Sequence, residues 1–381
     1  MIDTIRSFRT AIAVVALVLG LGLTAAACDN GSEGPTTDRD AVRQAMLADL
    51  ASRVILPTHD DFVRDADELA SALEALASSP SASTLEAARV EWRTTAATWH
   101  RLSALNMPGV RFGLYHNRIN TWPANVEVIE ESIATTATID SAYVAARGSN
   151  ARGLPGLEYL LFAGDDALAA LNADPQRRAY ARFVAADVAY QGRVLQDRWV
   201  ADGGDEIGMF VDADTEGRDL QSSVSRLVNE MAMLAEDLRY QKVGRPMGIA
   251  RNPSEPGGDP QPDLVEAPYA NTSIDLFRAD LAGLRALMTG GGGTGLDDYL
   301  VTLEAELDGQ PLGAALIGQI DRTDAAAASL TVPLRSAVTD QRGAAETLYE
   351  ETGTLLRLIK TDLANWLGVS ITFSDNDGDS R

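Results

Sequence analysis

The carboxylate most clearly set apart by its neighbours is Glu158, in the stretch "ARGLPGLEYLLF" at residues 151–162. Pro155 has a fixed φ and no N–H group, so it is tolerated in the first turn of a helix. Gly153 and Gly156 allow a neighbouring backbone to approach closely, or allow the chain to adopt a positive φ. The stretch therefore predicts a tight turn that opens a buried helix, with Glu158 near the positive end of that helix.

A buried carboxylate is costly unless it is paired or hydrogen-bonded, so Glu158 needs a partner. The arginines that we expect beside it are Arg111, Arg118 and Arg152. Two interpretations stay open at this point. One is a buried salt bridge that locks the turn, and the other is a carboxylate that contacts a ligand.

The three histidines, His59, His100 and His116, do not form a metallopeptidase signature. No HExxH occurs, and no two of them are spaced i, i+4 along a helix. His59, in "LPTHDDF", is followed by two aspartates, a combination that could bind a metal ion. Its position after Pro57 favours a solvated loop or a helix cap, and we expect His116 in a surface loop.

A second unusual stretch is "MPGVRFGLYHNRINTWPANVEVIEE", residues 107–131, where prolines and glycines interrupt the helical pattern. It keeps the large aromatic residues Phe112 and Trp122 beside Arg111 and Arg118. Loops that carry aromatics and arginines are better placed for binding than core helices are. The alternative is a packed connection between helices, whose aromatics cover the end of a bundle.

Helices must position these stretches, because nearly every other segment repeats apolar residues at steps of three and four. One such stripe is Leu85, Ala88, Trp92, Thr95, Trp99 and Leu102. A second is Leu220, Val224, Leu227, Met231, Leu234 and Leu238. A third is Ala345, Leu348, Thr352, Leu355, Ile359 and Trp366. No sustained run alternates with a period of two, so the chain is predicted to be all-α, built of long antiparallel helices of the bundle type.

Two helix starts are also readable from the sequence. Asp174 is the expected N-cap of a long helix, with Pro175 at its first position. Ser83 and Glu86 have the spacing of a capping box at the start of the helix that carries the first stripe.

Composition divides the chain into segments. The stretch "GRPMGIARNPSEPGGDPQPDLVEAPY" at 244–269 is rich in proline and glycine and lies between two helical blocks. The predicted segments are a signal peptide at 1–27, a flexible tether at 28–35, an N-terminal helical bundle at 36–243, a linker at 244–269 and a C-terminal helical bundle at 270–381.

The N-terminal segment has the pattern of an export signal. Two arginines precede an apolar run at 11–23 that is too short to span a membrane, and the run is followed by "LTAAAC", which ends at Cys28. This pattern resembles a bacterial lipoprotein signal, so we expect a lipid anchor at Cys28. The protein would then lie on the inner or outer membrane of the cell envelope and face the periplasm or the exterior. The alternative is an ordinary secreted protein cleaved near Ala27.

Charge excludes one class of partner. The formal net charge is −23 at pH 7, and phosphate backbones are bound by clustered positive charge, so nucleic acid is not an expected partner. The glycine-rich stretch "TGGGGTG" at 289–295 lacks the lysine and the strand-to-helix setting of a phosphate-binding loop.

Taken together, four stretches resemble the imelysin family of bacterial exported and lipid-anchored proteins. They are "VRFGLYHNRINTWP" at 110–123, "ARGLPGLEYLLF" at 151–162, "NTSIDLFRADLAGLRALMTG" at 271–290 and "LANWLGVSITFSDNDGD" at 363–379. The resemblance implies two helical bundles arranged as a pseudo-repeat, with a functional site in the cleft between them. It also implies an association with iron uptake, and some members are classed as metallopeptidases.

The family's GxHxxE motif falls on residues 153–158, where glycine and glutamate match but Pro155 stands at the histidine position. A histidine and a glutamate three apart on a helix lie on one side and could hold a metal together, whereas proline has no ligand atom. Glu158 alone lacks the several protein ligands that catalytic zinc needs. We therefore predict no catalytic residues and no metal-dependent peptidase activity. Any iron or other divalent metal bound at Glu158 must recruit further ligands from elsewhere.

These observations lead us to expect a membrane-anchored, non-catalytic binding or accessory protein linked to iron or other metal acquisition, with the metal-uptake machinery as a partner. The residues expected to line its cleft are Arg111, Phe112, Arg118, Trp122, Gly153, Pro155 and Glu158. Two alternatives remain. One is a divergent metallopeptidase that uses His59 or His116 in place of the missing histidine, and the other is a structural or partner-binding lipoprotein.

Overall fold

A computed structural model describes residues 36–105, 115–135, 138–164, 166–212, 223–251 and 256–372. In these ranges the chain is helical almost throughout, which confirms the predicted all-α class. The two strands in the same ranges, β1 (Glu306–Leu307) and β2 (Gln310–Pro311), form a short antiparallel hairpin. The predicted signal peptide, the tether and Cys28 lie outside the described residues.

The helices follow one another closely along the chain. Those before residue 250 are α1 (Thr36–Asp49), α2 (Leu56–Ser78), α3 (Ala82–Leu102), α4 (Tyr115–Ile119), α5 (Val126–Ile133), α6 (Ser141–Ala145), α7 (Gly153–Phe162), α8 (Ala167–Ala173), α9 (Pro175–Trp199), α10 (Glu206–Asp212) and α11 (Ser223–Glu236). Those after it are α12 (Ser273–Thr289), α13 (Leu296–Thr302), α14 (Leu312–Ala328), α15 (Leu334–Asp340), α16 (Arg342–Arg357) and α17 (Ala364–Trp366).

Several helices continue into segments of a different pitch. Leu50–Ile55, Asp237–Gly244 and Leu358–Leu363 are π-helical and extend α1, α11 and α16 without a break. Short 3₁₀ turns occur at Ser103–Leu105, Ser149–Ala151, Pro262–Leu264 and Gly290–Gly292. A π-helical turn changes which side chains share a face, and such turns are frequent at functional sites.

The caps show how far local sequence sets the helix ends. The side chain of Asp174 accepts a hydrogen bond from Gln176 N at the start of α9, with Pro175 at the first position, as predicted. The predicted capping box of α3 was wrong by two residues. Ser81 and Thr84 form it, because the helix begins at Ala82.

The hydrophobic core is continuous and draws apolar side chains from nearly all of the long helices. Helix α2 packs against α3 and α9, and α7 lies on α3 and α9. Helix α12 packs against both α3 and α14, and α14 packs against α16. The helices from Asp38 onward form one compact unit, and the division into two bundles around residues 244–269 stays a prediction.

The predicted stripes match this core where the structure describes them, with one exception. The members of the first stripe are all buried, and so are the described members of the second. In the third stripe Trp366 is 44% exposed. The π-helical segment Leu358–Leu363 precedes it and rotates the last turn relative to the α-helical period, so the placement of Trp366 on the buried stripe was wrong. None of the helices that the structure describes has the length and apolar character needed to cross a membrane.

Candidate functional site

The Glu158 carboxylate binds backbone groups of a loop that is distant in sequence. Its Oε1 accepts hydrogen bonds from the N–H groups of Tyr269 (2.7 Å) and Ala270 (2.9 Å), and its side chain is buried. Because α7 begins at Gly153 and ends at Phe162, Glu158 lies in its second turn, so the prediction that it lies near the positive end of the helix was inaccurate.

Burial dominates the protonation of this group. Desolvation raises the pKa of Glu158 to about 7, although the two backbone N–H groups favour its ionised form, and nearby Glu266 adds to the rise. A carboxyl group held by an arginine would show the opposite direction.

The arginines expected beside Glu158 have other partners. Arg152 Nη1 donates to Asp187 Oδ2 at 2.8 Å in a buried ion pair. Arg118 lies over the ring of Tyr115, 5.7 Å from its centroid. The salt-bridge interpretation was therefore wrong for these two arginines, while Arg111 and Phe112 lie outside the described residues.

The glycine and proline that precede Glu158 serve the backbone. Gly153 has a φ of +72°, and a Cβ built on it would lie 2.3 Å from the carbonyl oxygen of Ile119. Both reasons given for a glycine at this position therefore apply. Pro155 lies in the first turn of α7 and is buried, and the turn as a whole seats α7 against the end of α4.

The second unusual stretch contacts the same distant loop from another side. Trp122 Nε1 donates to the carbonyl oxygen of Val265 at 3.1 Å, and Asn120 Nδ2 donates to Glu266 Oε1 at 3.2 Å. We call residues 265–270 the clamped loop, because Glu158 binds one end and Trp122 and Asn120 bind the other. The two unusual stretches thus share one structural task, which is to fix Glu266.

Glu266 belongs to a buried cluster of four ionisable groups, which we call the ion cluster: His100, Lys242, Glu266 and Asp280. Lys242 Nζ lies 2.6 Å from Asp280 Oδ2, 2.9 Å from Glu266 Oε2 and 3.1 Å from His100 Nδ1. His100 Nδ1 is 3.0 Å from Asp280 Oδ1, and its Nε2 is 3.4 Å from Glu266 Oε1. The four side chains come from α3, the π-helical segment after α11, the clamped loop and α12.

Charge is balanced inside the ion cluster. Burial lowers the pKa of His100, but Glu266 and Asp280 outweigh burial and the ammonium of Lys242 and raise that pKa to about 9. Burial opposes ionisation of the two carboxyl groups as well, yet their cationic neighbours hold both pKa values below the ordinary range. The same carboxylates raise the pKa of Lys242. At neutral pH the cluster therefore contains two cations and two anions.

Two local features bring these groups together. Gly283 on α12 lets the helix approach α3 so closely that a Cβ there would lie 2.5 Å from the carbonyl oxygen of Arg101, next to His100. In an α-helix, residues five apart point roughly 140° away from each other. The wider turn of a π-helix brings such residues closer to one side, and Asp237 and Lys242 both line the same cavity.

A cavity of about 220 Å³ lies against the ion cluster. Its lining residues are Trp99, His100, Ser103, His116, Asn120, Trp122, Glu230, Met233, Leu234, Asp237, Lys242 and Glu266. Asp237 lines the cavity, and its side chain is exposed. Partial desolvation raises the pKa of its carboxyl to about 6, although Lys242 opposes this rise.

Of the residues expected to line a cleft, Trp122 lines this cavity, whereas Glu158, Gly153 and Pro155 are buried behind the clamped loop. His116 also lines it and packs against Trp99, with a ring-centroid distance of 4.7 Å. The expectation of a surface loop was wrong for His116, which lies half-buried in α4.

The prediction for His59 was also wrong. It lies inside α2, is 2% exposed and packs against Trp199 with ring centroids 5.5 Å apart. Burial, with a contribution from His116, lowers the pKa of His59 to about 3, so the ring is neutral. The expected solvated loop or helix cap does not exist there, because Pro57 is tolerated at the start of α2.

The residues present do not form a metal site at the family motif. Pro155 has no ligand atom, and Glu158 Oε1 is already engaged by two N–H groups. Over the part of the chain that the structure describes, no group of three or more His, Cys, Asp or Glu side chains is arranged to hold a metal ion. In the ion cluster, the ammonium of Lys242 lies among the groups that could coordinate one.

Sequence reasoning missed Lys242, Glu266 and Asp280. Lys242 is one of two lysines in a chain that otherwise uses arginine, a signal that could have marked it. Asp280 is a carboxylate on the buried side of an amphipathic helix, which is also a readable anomaly. Glu266 lies in a stretch that composition alone marks as a linker, so nothing local distinguishes it.

Comparison with known proteins gives a consistent result. The imelysin model of peptidase family M75 matches residues 55–359. An imelysin-like protein from Psychrobacter arcticum 273-4 has a similar structure, with a TM-score of 0.69 and 20% identity over 89% of this chain and 98% of that one. A structure assigned as an iron-regulated protein A precursor from Parabacteroides distasonis ATCC 8503 gives a TM-score of 0.68 and 19% identity over 86% and 95%.

A curated relative is iron-regulated protein A of Synechococcus elongatus, which is 23% identical over 181 residues. That alignment covers 48% of this chain and 47% of the relative, so the chain spans about half the length of the curated relative that it matches. At these identities the solved structures support the fold alone.

Proposed function

The chain belongs to the imelysin family, and from that premise we propose that it is a non-catalytic binding or accessory protein linked to metal acquisition. The cavity beside the ion cluster is its ligand site. The link to metal supply rests on relatives that are named for regulation by iron. A lipid anchor at Cys28 would hold the protein on a membrane of the cell envelope, within reach of uptake machinery.

The observation that carries this proposal is the cavity wall. Indole rings, imidazoles and carboxylates meet there around about 220 Å³ of space. Concave sites with apolar walls and a few convergent polar groups are where proteins bind small ligands. The two stretches of unusual sequence, at 107–131 and 151–162, both hold the clamped loop, which contributes Glu266 to the cavity wall. Specific contacts therefore position that wall.

Three of the ionisable groups in or near this wall are not suited to act as the general base of peptide-bond hydrolysis. A general base must have a pKa near the working pH and a free acceptor atom. His100 is held as a cation by two carboxylates, and the raised pKa of Lys242 keeps its amine protonated. Glu158 faces backbone N–H groups behind the loop rather than the cavity. A protein that only binds a ligand does not need the protonation of these groups to change.

A growth experiment tests the proposal. A deletion strain at limiting iron is complemented with the natural chain, with Met233→Trp, which fills the cavity, and with Met209→Trp, which adds the same ring to an exposed site on α10. We expect the natural chain and Met209→Trp to restore growth and folded Met233→Trp to fail. Equal growth of all strains, including the deletion, would contradict a role in metal supply.

Peptidase activity is tested separately on the purified full-length protein with unfolded casein, with and without a chelator. We expect no cleavage above the background of a mock purification. Chelator-sensitive cleavage that is retained through further purification would overturn the non-catalytic assignment and favour the divergent metallopeptidase.

A further inference from the structure

Lys242 occupies an unusual position for a buried lysine, because two carboxylate oxygens and one imidazole nitrogen, from three different elements, surround its ammonium. Asp280 Oδ2, Glu266 Oε2 and His100 Nδ1 lie 2.6, 2.9 and 3.1 Å from Nζ. Asp280 is fully buried, and Lys242 itself exposes only 13% of its side chain. Nζ therefore lies at the point that these three atoms surround.

The three surrounding groups are a ligand set for a divalent metal. One imidazole nitrogen and two carboxylate oxygens are ordinary ligands of zinc and of other first-row divalent ions. Metal–ligand bonds are about 2.0–2.2 Å long, so each donor would have to move inward by roughly 1 Å or less. The side chains thus need small rotations rather than a rebuilt backbone.

The outer contacts that orient metal ligands are also present. Ser103 Oγ donates to Asp280 Oδ1 at 2.6 Å, and Asn120 Nδ2 donates to Glu266 Oε1 at 3.2 Å. These bonds hold the carboxylate oxygens that do not bind a central cation, as outer partners do in metalloproteins. His100, Lys242 and Glu266 also line the cavity, which gives an ion a route to the cluster.

We propose that Lys242 is a tethered replacement for a divalent cation, and that His100, Glu266 and Asp280 bind a metal ion when the ammonium is removed. The charges agree with this exchange, because the ammonium that is removed and the metal ion that would replace it are both cations placed between two carboxylates.

This proposal concerns the ion cluster and is independent of the ligand of the neighbouring cavity. It makes the natural protein independent of metal for its folding, because the cation is part of the chain and cannot be removed by a chelator. It also explains why the cluster of ligand-type side chains is not itself a metal site in the natural protein.

The test uses the full-length chain with Lys242→Met, which keeps a side chain of similar length and removes the charge. Lys360→Met is the matched control, since Lys360 is the other lysine in the sequence and its Nζ bonds Glu236 Oε2 at 3.2 Å in a more exposed place. Cobalt(II) and zinc(II) are the probes. Cobalt gives a visible absorption spectrum that reports nitrogen and oxygen ligands, and zinc is added in thermal unfolding.

We expect Lys242→Met to bind one cobalt ion per chain, and zinc at a hundred times its Kd to raise Tm by roughly 4 °C or more. The natural chain and Lys360→Met should show none of these effects, and adding Asp280→Asn to Lys242→Met should abolish them.

A folded Lys242→Met that binds no cobalt, or a natural chain that binds it equally well, would overturn the proposal. If Lys242→Met does not fold in chelator, refolding in zinc decides the matter, with Lys242→Arg as the variant that keeps the charge. Recovery of the folded state with zinc supports the proposal. Failure to recover with zinc, while Lys242→Arg folds, refutes it.

Discussion

Replacing Glu158 with glutamine tests how the family's glutamate is held in this protein. Glutamine keeps the shape and an oxygen that can accept from Tyr269 and Ala270, but it has no charge. When the pH exceeds the pKa of Glu158, the natural chain must keep an ionised carboxylate in a buried site, and this lowers its free energy of unfolding. Glutamine is never ionised, so the stability of the two chains should respond differently to pH.

The size of this difference follows from the pKa. Burial raises the pKa of Glu158 from 4.5 to about 7. The folded state therefore binds more protons at this group than the unfolded state does between these values, and the free energy of unfolding falls as the pH rises through that window. Each pKa unit corresponds to about 1.4 kcal/mol, so the natural chain should lose about 3 kcal/mol relative to Glu158→Gln between pH 4 and pH 8.

Urea unfolding of both chains across this pH range measures the effect. The difference between the two curves is the quantity to follow, because His59 and Asp237 also titrate differently in the folded protein and contribute equally to both chains. Glu131→Gln, which makes the same replacement at an exposed position on α5, is the control. A salt-bridged Glu158 would make the natural chain gain on Glu158→Gln as the pH rises, and that outcome would refute our account.

Two other substitutions probe the packing around the site. Asp280→Asn should lower the free energy of unfolding, measured in urea, by about 3–5 kcal/mol, because it leaves the cations of the ion cluster with one carboxylate. Asp321→Asn, in an exposed ion pair, should have a much smaller effect. Equal losses of stability in the two variants would show that the groups of the cluster are not coupled. Gly153→Ala should cost more than about 2 kcal/mol, since it adds a clash with Ile119 to the strain of a positive φ. Gly164→Ala has a φ of +81° but open space around it, so it should cost only about 1 kcal/mol, and a Gly153→Ala protein as stable as Gly164→Ala would rule out the close contact.

The helical elements were predictable because their signals are local. A side chain faces the core or the solvent according to its place in a period of 3.6 residues, and a cap acts within one turn. The buried stripe from Leu85 to Leu102 and the Asp174–Pro175 start of α9 were therefore found from sequence. The same rule misplaced Trp366, because the π-helical segment before it changes the helical period. No feature of the sequence marks that change.

The candidate site was only partly predictable for a different reason. The two unusual stretches were correctly singled out as special, because glycine, proline and aromatic residues mark backbone constraints. Their shared role in holding the clamped loop could not be seen, since Glu158 binds backbone N–H groups, which every non-proline residue carries. The side-chain types nearby in the sequence suggested an arginine partner instead.

By itself, the sequence determined the all-α class, the faces of the long helices, and the loss of a ligand atom at Pro155, and its motifs were sufficient to indicate the family. Only the tertiary structure decided what surrounds the cavity. His100, Lys242, Glu266 and Asp280 lie far apart along the chain and meet only because α3 and α12 pack closely and a π-helical turn directs Lys242 between them. Long-range ion pairing depends on distance in space, which no local periodicity encodes, whereas helix formation depends on neighbours that the sequence already places side by side.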